Sequence, residues 1–291
     1  MLAQQIIQDF EAILDSKDCP TCQKICTKQC VDCLNYYSQQ PMDYSCENLR
    51  YAYVLRYFFA SKSETKKALR RYSSYIIDHL SLRDRVDTTT FIGIGLGPGS
   101  DFTAFTEWAA ESAVVNLNML VVRVDNEDNW SNQYKLINKI YREVRESINI
   151  KTEGRKKIGD GLTSDLSAYT PDFISISYFL SEYLKGQQIQ QIENNIDIFI
   201  NQLNKIVNDK CVIILNDRPQ QDIATLFDYF NRRILSFFPK TSIRTDCFTE
   251  GYGTLISFNR MCESSFDDQF RSKYKSRRWC DSFQSILFVQ R

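Results

Sequence analysis

The stretch Phe91-Ile92-Gly93-Ile94-Gly95-Leu96-Gly97-Pro98-Gly99-Ser100-Asp101 decides how the chain is read. It opens apolar, as a buried strand does, and then places glycine at every second position ahead of a segment with helical spacing. Glycine has no Cβ, so such a loop can turn sharply and bring its backbone close to a ligand. Ser100 or Asp101 is the expected N-cap of the following helix, since a short side-chain oxygen there accepts an orphan amide proton. Two phosphate-binding loops fit less well. A P-loop carries Lys after its last glycine, and none stands here. A dinucleotide loop needs G-x-G-x-x-G, but the third position is Ser100 counted from Gly95 and Phe102 counted from Gly97.

Towards the C-terminus, short apolar runs alternate with amphipathic stretches. After Phe91 to Leu96 come Leu120 to Val124, Phe173 to Tyr178 and Cys211 to Leu215 as strand candidates. Between them Phe102, Phe105, Trp108 and Ala109 line one helix face, and Tyr134, Ile137, Ile140, Tyr141 and Val144 line another. This alternation predicts an α/β fold, a mostly parallel sheet covered on both faces with right-handed crossovers. Gln187 to Asn208 reads as a polar helix. Past Pro239, Ser242 to Phe248, Thr254 to Phe258 and Ser285 to Val289 read as strands parted by the turn Glu250-Gly251-Tyr252-Gly253, which predicts a terminal antiparallel pair. Towards the N-terminus glycine disappears, and apolar residues recur at helical spacing through Ile6, Ile7, Phe10, Ile13 and Leu14 and again from Tyr53 to Leu80. A helical N-terminal domain over 1–88 and an α/β domain over 89–291 are expected, parted at Asp87-Thr88-Thr89-Thr90.

The 291 residues, 43% hydrophobic and 25% charged, suffice for one large domain with an appendage and exclude a disordered chain. The 36 basic and 36 acidic residues cancel, so any nucleic-acid contact must come from a local patch. The single histidine, His79, excludes two-imidazole zinc catalysis, and its setting Ile76-Ile77-Asp78-His79-Leu80 predicts a packed, hydrogen-bonded ring. No signal peptide opens the chain and no apolar run approaches the roughly 20 residues that cross a bilayer, so no membrane association is expected. A reducing cytoplasm is the expected compartment, where clustered thiols serve metal or redox chemistry rather than disulfides.

Strand, G-x-G-P-G and helix together resemble the loop of class I S-adenosylmethionine-dependent methyltransferases, with Gly95, Gly97 and Gly99 on the pattern. The resemblance implies a Rossmann-like sheet and S-adenosylmethionine as cofactor, held by Gly93, Gly95, Gly97, Gly99, Asp101, Asp125, Asn126 and Ser177. In that family the second strand ends in an acidic residue that holds the ribose; here Leu120 to Val124 runs straight into Asp125, followed by Asn126 and Trp130. One departure stands out. Two positions before the first loop glycine the family carries an acidic residue for the methionine amino group, and this chain has Gly93; Asp101 is a substitute, and a fold that binds without transferring methyl is the alternative. At the carboxyl end of the fourth strand, Ser177, Tyr178 and Glu182 are expected beside the ligand, with Tyr178 and Glu182 as candidate catalytic residues or as mere packing and capping groups. This stretch, with Pro41-Met42-Asp43-Tyr44 and Tyr51 to Tyr57, is similar to a methyltransferase-like family associated with the mitochondrial and bacterial small ribosomal subunit. No N-P-P-Y or D-P-P-Y tetrapeptide of amino-methylating enzymes occurs.

Six of the ten cysteines fall between Cys19 and Cys46. Cys19, Cys22, Cys26, Cys30 and Cys33 form two C-x-x-C pairs around a central thiol, and three readings stay open. With Cys46 as a further ligand they suit Zn²⁺ or an iron–sulfur cluster; on one face of a helix starting at Pro20 they would be small core groups; the third is redox work. Two basic runs with adjacent aromatics, Lys66, Lys67, Arg70 and Arg71, and Arg271, Lys273, Lys275, Arg277 and Arg278 beside Trp279, are candidate RNA contacts, or else solvated faces.

Overall fold

In the computed structural model the chain is described over residues 2–16, 18–19, 24–25, 31, 34, 44–85, 87–112, 114, 117–125, 130–141, 149–157, 166–183, 187–247, 266, 268–277 and 279–291. Helix α1 (Leu2–Ser16) is followed by the short antiparallel strands β1 (Asp18–Cys19) and β2 (Lys24–Ile25). One helical run then carries α2 (Glu47–Tyr53), a π-turn at Val54–Phe58 and α3 (Phe59–Arg71), and α4 (Ser73–Leu80) closes the N-terminal part. The alternation follows: β3 (Thr89–Ile94), α5 (Ser100–Glu111), β4 (Asn118–Asp125), α6 (Ser131–Ile140), β5 (Asn149–Lys157), β6 (Phe173–Ser177) and the short α7 (Leu180–Tyr183). It ends with α8 (Ile189–Ile206), β7 (Lys210–Asp217), α9 (Gln221–Phe237), β8 (Ser242–Cys247), α10 (Asp268–Tyr274) and β9 (Phe283–Gln290).

Strands β3 to β9 form one seven-stranded sheet in the order β5-β4-β3-β6-β7-β9-β8. The five strands β5, β4, β3, β6 and β7 pair in parallel, while β9 runs antiparallel to both β7 and β8. This is a mostly parallel, Rossmann-like sheet with the terminal antiparallel pair that the pattern past Pro239 predicted. Alternation along each strand builds two cores, because successive side chains leave opposite faces of a pleated sheet. Phe91, Val121, Val212, Ile214, Ile286 and Phe288 join α3, α4 and α5 on one face. Ile92, Val122, Ile174, Ile213, Leu215 and Leu287 join α8 and α9 on the other, where Ile192, Ile196, Phe199, Ile200 and Leu203 supply the helical stripe. A third cluster packs Ile6, Phe10 and Leu14 of α1 against Val54, Leu55 and Phe58 of the π-turn and Ile137 and Tyr141 of the α6 end.

The expected strands that fall on described residues lie where the apolar runs placed them, within a few residues, and the polar Gln187 to Asn208 stretch holds α8. Three expectations change. Strand β5 carries Lys151, Glu153, Arg155 and Lys156 and shows no apolar run, because it pairs only with β4 at the sheet edge. The α5 N-cap is Gly99, in the left-handed region at φ +87, rather than Ser100 or Asp101. Lys24–Ile25 is a strand rather than part of the helix expected from Pro20, and the expected stripe of Cys22, Cys26, Cys30 and Cys33 lies outside the described residues. Thr254 to Phe258, the turn at 250–253 and Val144 lie outside the described residues. No described helix is long and apolar enough to cross a membrane.

Candidate ligand-binding cleft

The sheet order reverses at β3, whose neighbours are β4 and β6, and open α/β sheets bind ligands beyond the carboxyl ends of the strands at such a switch point. A cleft of about 210 Å³ lies there. Its floor is the glycine loop, where Gly95, Gly97 and Gly99 take φ of +64, +53 and +87. Gly95 donates its N–H to the Val124 carbonyl at 2.8 Å, and a Cβ on it would stand 2.7 Å from the Phe179 ring. The Gly97 peptide is held on both sides: its N–H donates to Asp125 Oδ2 at 2.8 Å, and its carbonyl accepts from Arg123 at 3.3 Å. Arg123 is itself buried, with its guanidinium 3.9 Å from the centre of the Tyr134 ring. Asp125, at the end of β4, is thus fixed with its carboxylate on the cleft wall.

Asp101, also on the cleft, is 3% exposed. Its carboxylate accepts hydroxyls from three elements: Ser175 of β6 at 2.6 Å, Thr65 of α3 at 3.1 Å and Ser100 of α5 at 3.4 Å. Burial pushes the carboxyl up from its usual range, and the surrounding hydroxyls pull it back. These bonds also explain why Asp101 does not cap α5. Gly93 lies behind the loop, where a Cβ would come 2.6 Å from Leu96 Cδ1, so an acidic side chain there would require Leu96 to move.

Tyr44, Tyr53 and Trp130 form an aromatic wall, with ring centroids 5.7 Å apart for Tyr44 and Tyr53, 5.2 Å for Tyr44 and Trp130, and 5.1 Å for Tyr53 and Trp130. Tyr53 sits immediately before the π-turn, and burial raises its phenol pKa. On the far side stand Ser177, Tyr178 and Glu182. Tyr178 has φ +53, rare for an aromatic residue, and its hydroxyl donates at 2.7 Å to Glu64, a fully buried carboxylate on α3. Glu64 and Thr65 are partners that sequence reading missed. They sit in Ser61-Lys62-Ser63-Glu64-Thr65-Lys66-Lys67, a run that looks solvent-facing, and the absence of any apolar stripe was the one signal that its partners must be polar.

The cleft thus gathers Gly95, Gly97, Asp101, Asp125, Ser177, Tyr178 and Glu182. Asn126 lies outside the described residues, as do Cys22, Cys26, Cys30, Cys33 and Arg278. Cys19 is on β1, and Cys46 precedes α2 and packs against the α1 cluster. Among the described residues no group of three or more His, Cys, Asp or Glu could hold a metal. Two members of the first basic run are engaged within the fold. Lys66, 5% exposed, pairs with Glu107 at 2.6 Å and Glu111 at 2.7 Å, and Arg70 pairs with Glu111 at 2.8 Å. In the second, Lys273 pairs with Glu11 at 2.9 Å and Arg271 donates to the Phe266 carbonyl, while Lys275 and Trp279 are exposed. His79 shares a 3.0 Å hydrogen bond with the Val289 carbonyl, as its setting predicted.

No protein-family model and no curated protein matches the sequence. Solved structures show a loose likeness to it. A precorrin-6y C5,15-methyltransferase from Geobacter metallireducens is 11% identical, with 75% of this chain and 88% of that one covered at a TM-score of 0.38. The N-terminal domain of human METTL16, solved with SAH, is 13% identical over 75% of this chain and 68% of its own, at 0.39. A methyltransferase from Pyrococcus furiosus is 12% identical over 75% and 81%, at 0.37.

Proposed function

We propose that this cleft binds S-adenosylmethionine and that the protein transfers its methyl group to an acceptor, with RNA as the acceptor class. The observation that carries the reading is the Gly97 peptide, clamped between Asp125 and Arg123 at the switch point and facing an aromatic wall. When bound, the cofactor supplies a methyl group activated by its positive sulfur. Asp125, with Asn126, would hold the ribose hydroxyls; the backbone of Gly95 to Gly99 would pass beside the methionine part; and Asp101 and Ser177 would take the place of the acidic residue that Gly93 replaces. Holding donor and nucleophile in line supplies much of the acceleration, so the protein's main task is positioning.

Calorimetric titration with S-adenosylmethionine tests this directly. Asp125→Ala removes a charge-assisted partner worth about 1.5–3 kcal/mol, so affinity should fall at least about tenfold. Wild-type affinity in a folded variant would remove Asp125 from the site. Binding of the cofactor without transfer to RNA or protein would instead favour a binding or assembly module that retains the fold, a reading supported by Gly93 and its close neighbour Leu96. For RNA, wild-type protein should bind at low salt and lose affinity as salt rises, and Lys275→Ala should lower the salt slope by roughly 0.7–0.9; no RNA affinity at low salt eliminates that acceptor. The cysteines Cys19, Cys22, Cys30 and Cys33, with Cys26 and Cys46 in reserve, are proposed to hold a structural Zn²⁺ or iron–sulfur cluster in a reducing cytoplasm. Elemental analysis of protein purified without oxygen should then find metal that the double change Cys30→Ser, Cys33→Ser releases, and metal-free wild-type protein would end that proposal.

A further inference from the structure

Glu64 has no exposed surface although it lies in a polar run. A carboxylate so placed needs partners, and three donors converge on it. Oε1 accepts the Asp281 N–H at 2.8 Å, and Oε2 accepts the Tyr178 hydroxyl at 2.7 Å and the Asn216 side-chain amide at 3.2 Å. A set made of donors suits an ionised carboxylate. The charged group that faces it is Arg277, and the titratable group in contact is Tyr178. Tyr178 in turn lines the cleft and keeps its uncommon φ of +53 through its N–H bond to the Asn216 carbonyl at 2.7 Å. Asn216 therefore fixes both the tyrosine backbone and the carboxylate. Strained backbone that is held this firmly beside a cleft is a mark of a working residue. With its own proton committed to Glu64, the phenolic oxygen has acceptor capacity to offer.

We propose that Tyr178 accepts the proton of the methyl acceptor, and that Glu64 is the positioning residue that receives the tyrosine's own proton, so that the cleft serves acceptors that lose an O–H or N–H proton. The inference rests on the methyl-transfer reading. The acceptor's lone pair forms the new bond to the methyl carbon, and the carbon–sulfur pair remains on sulfur. The acceptor's proton passes to the Tyr178 oxygen while the phenol proton passes to Glu64 Oε2. The positive sulfur becomes neutral and the carboxylate becomes a carboxylic acid, so charge balances, and the proton later leaves to water. Burial raises the proton affinity of Glu64, which suits a group that is to receive a proton.

The test compares wild-type protein, Glu64→Gln, Glu64→Asp and Tyr178→Phe in single-turnover transfer of a labelled methyl group from S-adenosylmethionine to total RNA and, separately, to total protein of a cell extract, across pH. Glu64→Gln and Tyr178→Phe should bind the cofactor as wild type does and transfer about 100-fold more slowly or worse. The wild-type rate should rise with pH as Glu64 ionises, Glu64→Gln should lose that rise, and Glu64→Asp should recover part of the rate. Transfer within a few-fold of wild type by both folded variants, or a pH rise retained in Glu64→Gln, overturns the relay and leaves the methyl-transfer reading standing. A wild-type protein that labels neither extract overturns that reading and the relay with it. If Glu64→Gln does not fold, Tyr178→Phe, which keeps the ring, decides.

Discussion

At the scale of single residues, burial raises the carboxyl of Asp101 on the cleft wall and, most clearly, that of Asp217. It ends β7 fully buried, and its oxygens accept the N–H groups of Ser181 at 2.9 Å and Arg218 at 2.7 Å. Desolvation outweighs those bonds and pushes its carboxyl from 3.8 up to about 6. Between these two values the folded chain holds a proton that the unfolded chain has released. Its contribution to stability is therefore complete below the lower value and is lost as pH rises through the upper one. The loss is on the order of 3 kcal/mol. Asp217→Asn cannot ionise and keeps one acceptor for two donors, so it should be less stable than wild type at pH near 4 by on the order of 1 kcal/mol. By neutral pH that deficit should shrink or reverse. Urea unfolding of both proteins on each side of the window checks this; parallel pH profiles would show that Asp217 ionises in the fold as it does in water.

Among elements, the contact between α3 and α5 is ionic where sequence patterning leads one to expect surface. Glu107 of α5 bridges Lys62 at 2.7 Å and Lys66 at 2.6 Å, and Lys62 also reaches the Tyr141 hydroxyl at 3.2 Å. Burial raises the Glu107 carboxyl, but the two ammonium groups outweigh it and hold the group below the usual carboxylate range. Its stabilisation is thus present above the ordinary carboxylate pKa and is lost as pH falls through the lowered one. Glu107→Ala would leave two buried lysines facing no carboxylate at that point, at a cost of about 3–5 kcal/mol in denaturant unfolding. A loss below about 1 kcal/mol would mean that the pairs behave as exposed ones. The same contact marks where the sequence stopped being legible. Hydrophobic alternation announced β3, β4, β6, β7 and β9, because each is buried on both faces, and the glycines with Asp125 announced the cleft floor. Strand β5 pairs on one side only, at the sheet edge, and its sequence carries no apolar run, while the middle of α3 meets its neighbours through Lys62, Glu64, Thr65 and Lys66, where the apolar spacing lapses. The π-turn that follows Tyr53 has no compositional signature of its own, being set by packing against α1 and α6.

For the whole molecule, the sequence divides the chain into a helical domain over 1–88 and an α/β domain over 89–291, and the packing gives this division a measurable meaning. Leu69, Tyr72, Ile76, Ile77 and Leu80 belong to the same core as Phe91, Phe105, Trp108, Val212 and Ile286 of the sheet and α5. Exposing a buried side chain of this kind costs about 1.5–3 kcal/mol, so baring the face these five cover, and the five themselves being absent, removes on the order of 10 kcal/mol. That equals the whole stability of an ordinary domain, roughly 5–15 kcal/mol. Removal of 1–88 also takes Thr65 from Asp101 and Glu64 from Tyr178, which leaves buried cleft groups without these partners. The fragment 89–291 should therefore show no cooperative thermal transition and should aggregate, whereas the full chain unfolds its sheet and α3–α4 together in one transition followed by both far-ultraviolet circular dichroism and tryptophan fluorescence. A soluble fragment that melts cooperatively would show that the sheet folds on its own, and the helices would then be a cover added to a complete domain rather than one side of its core.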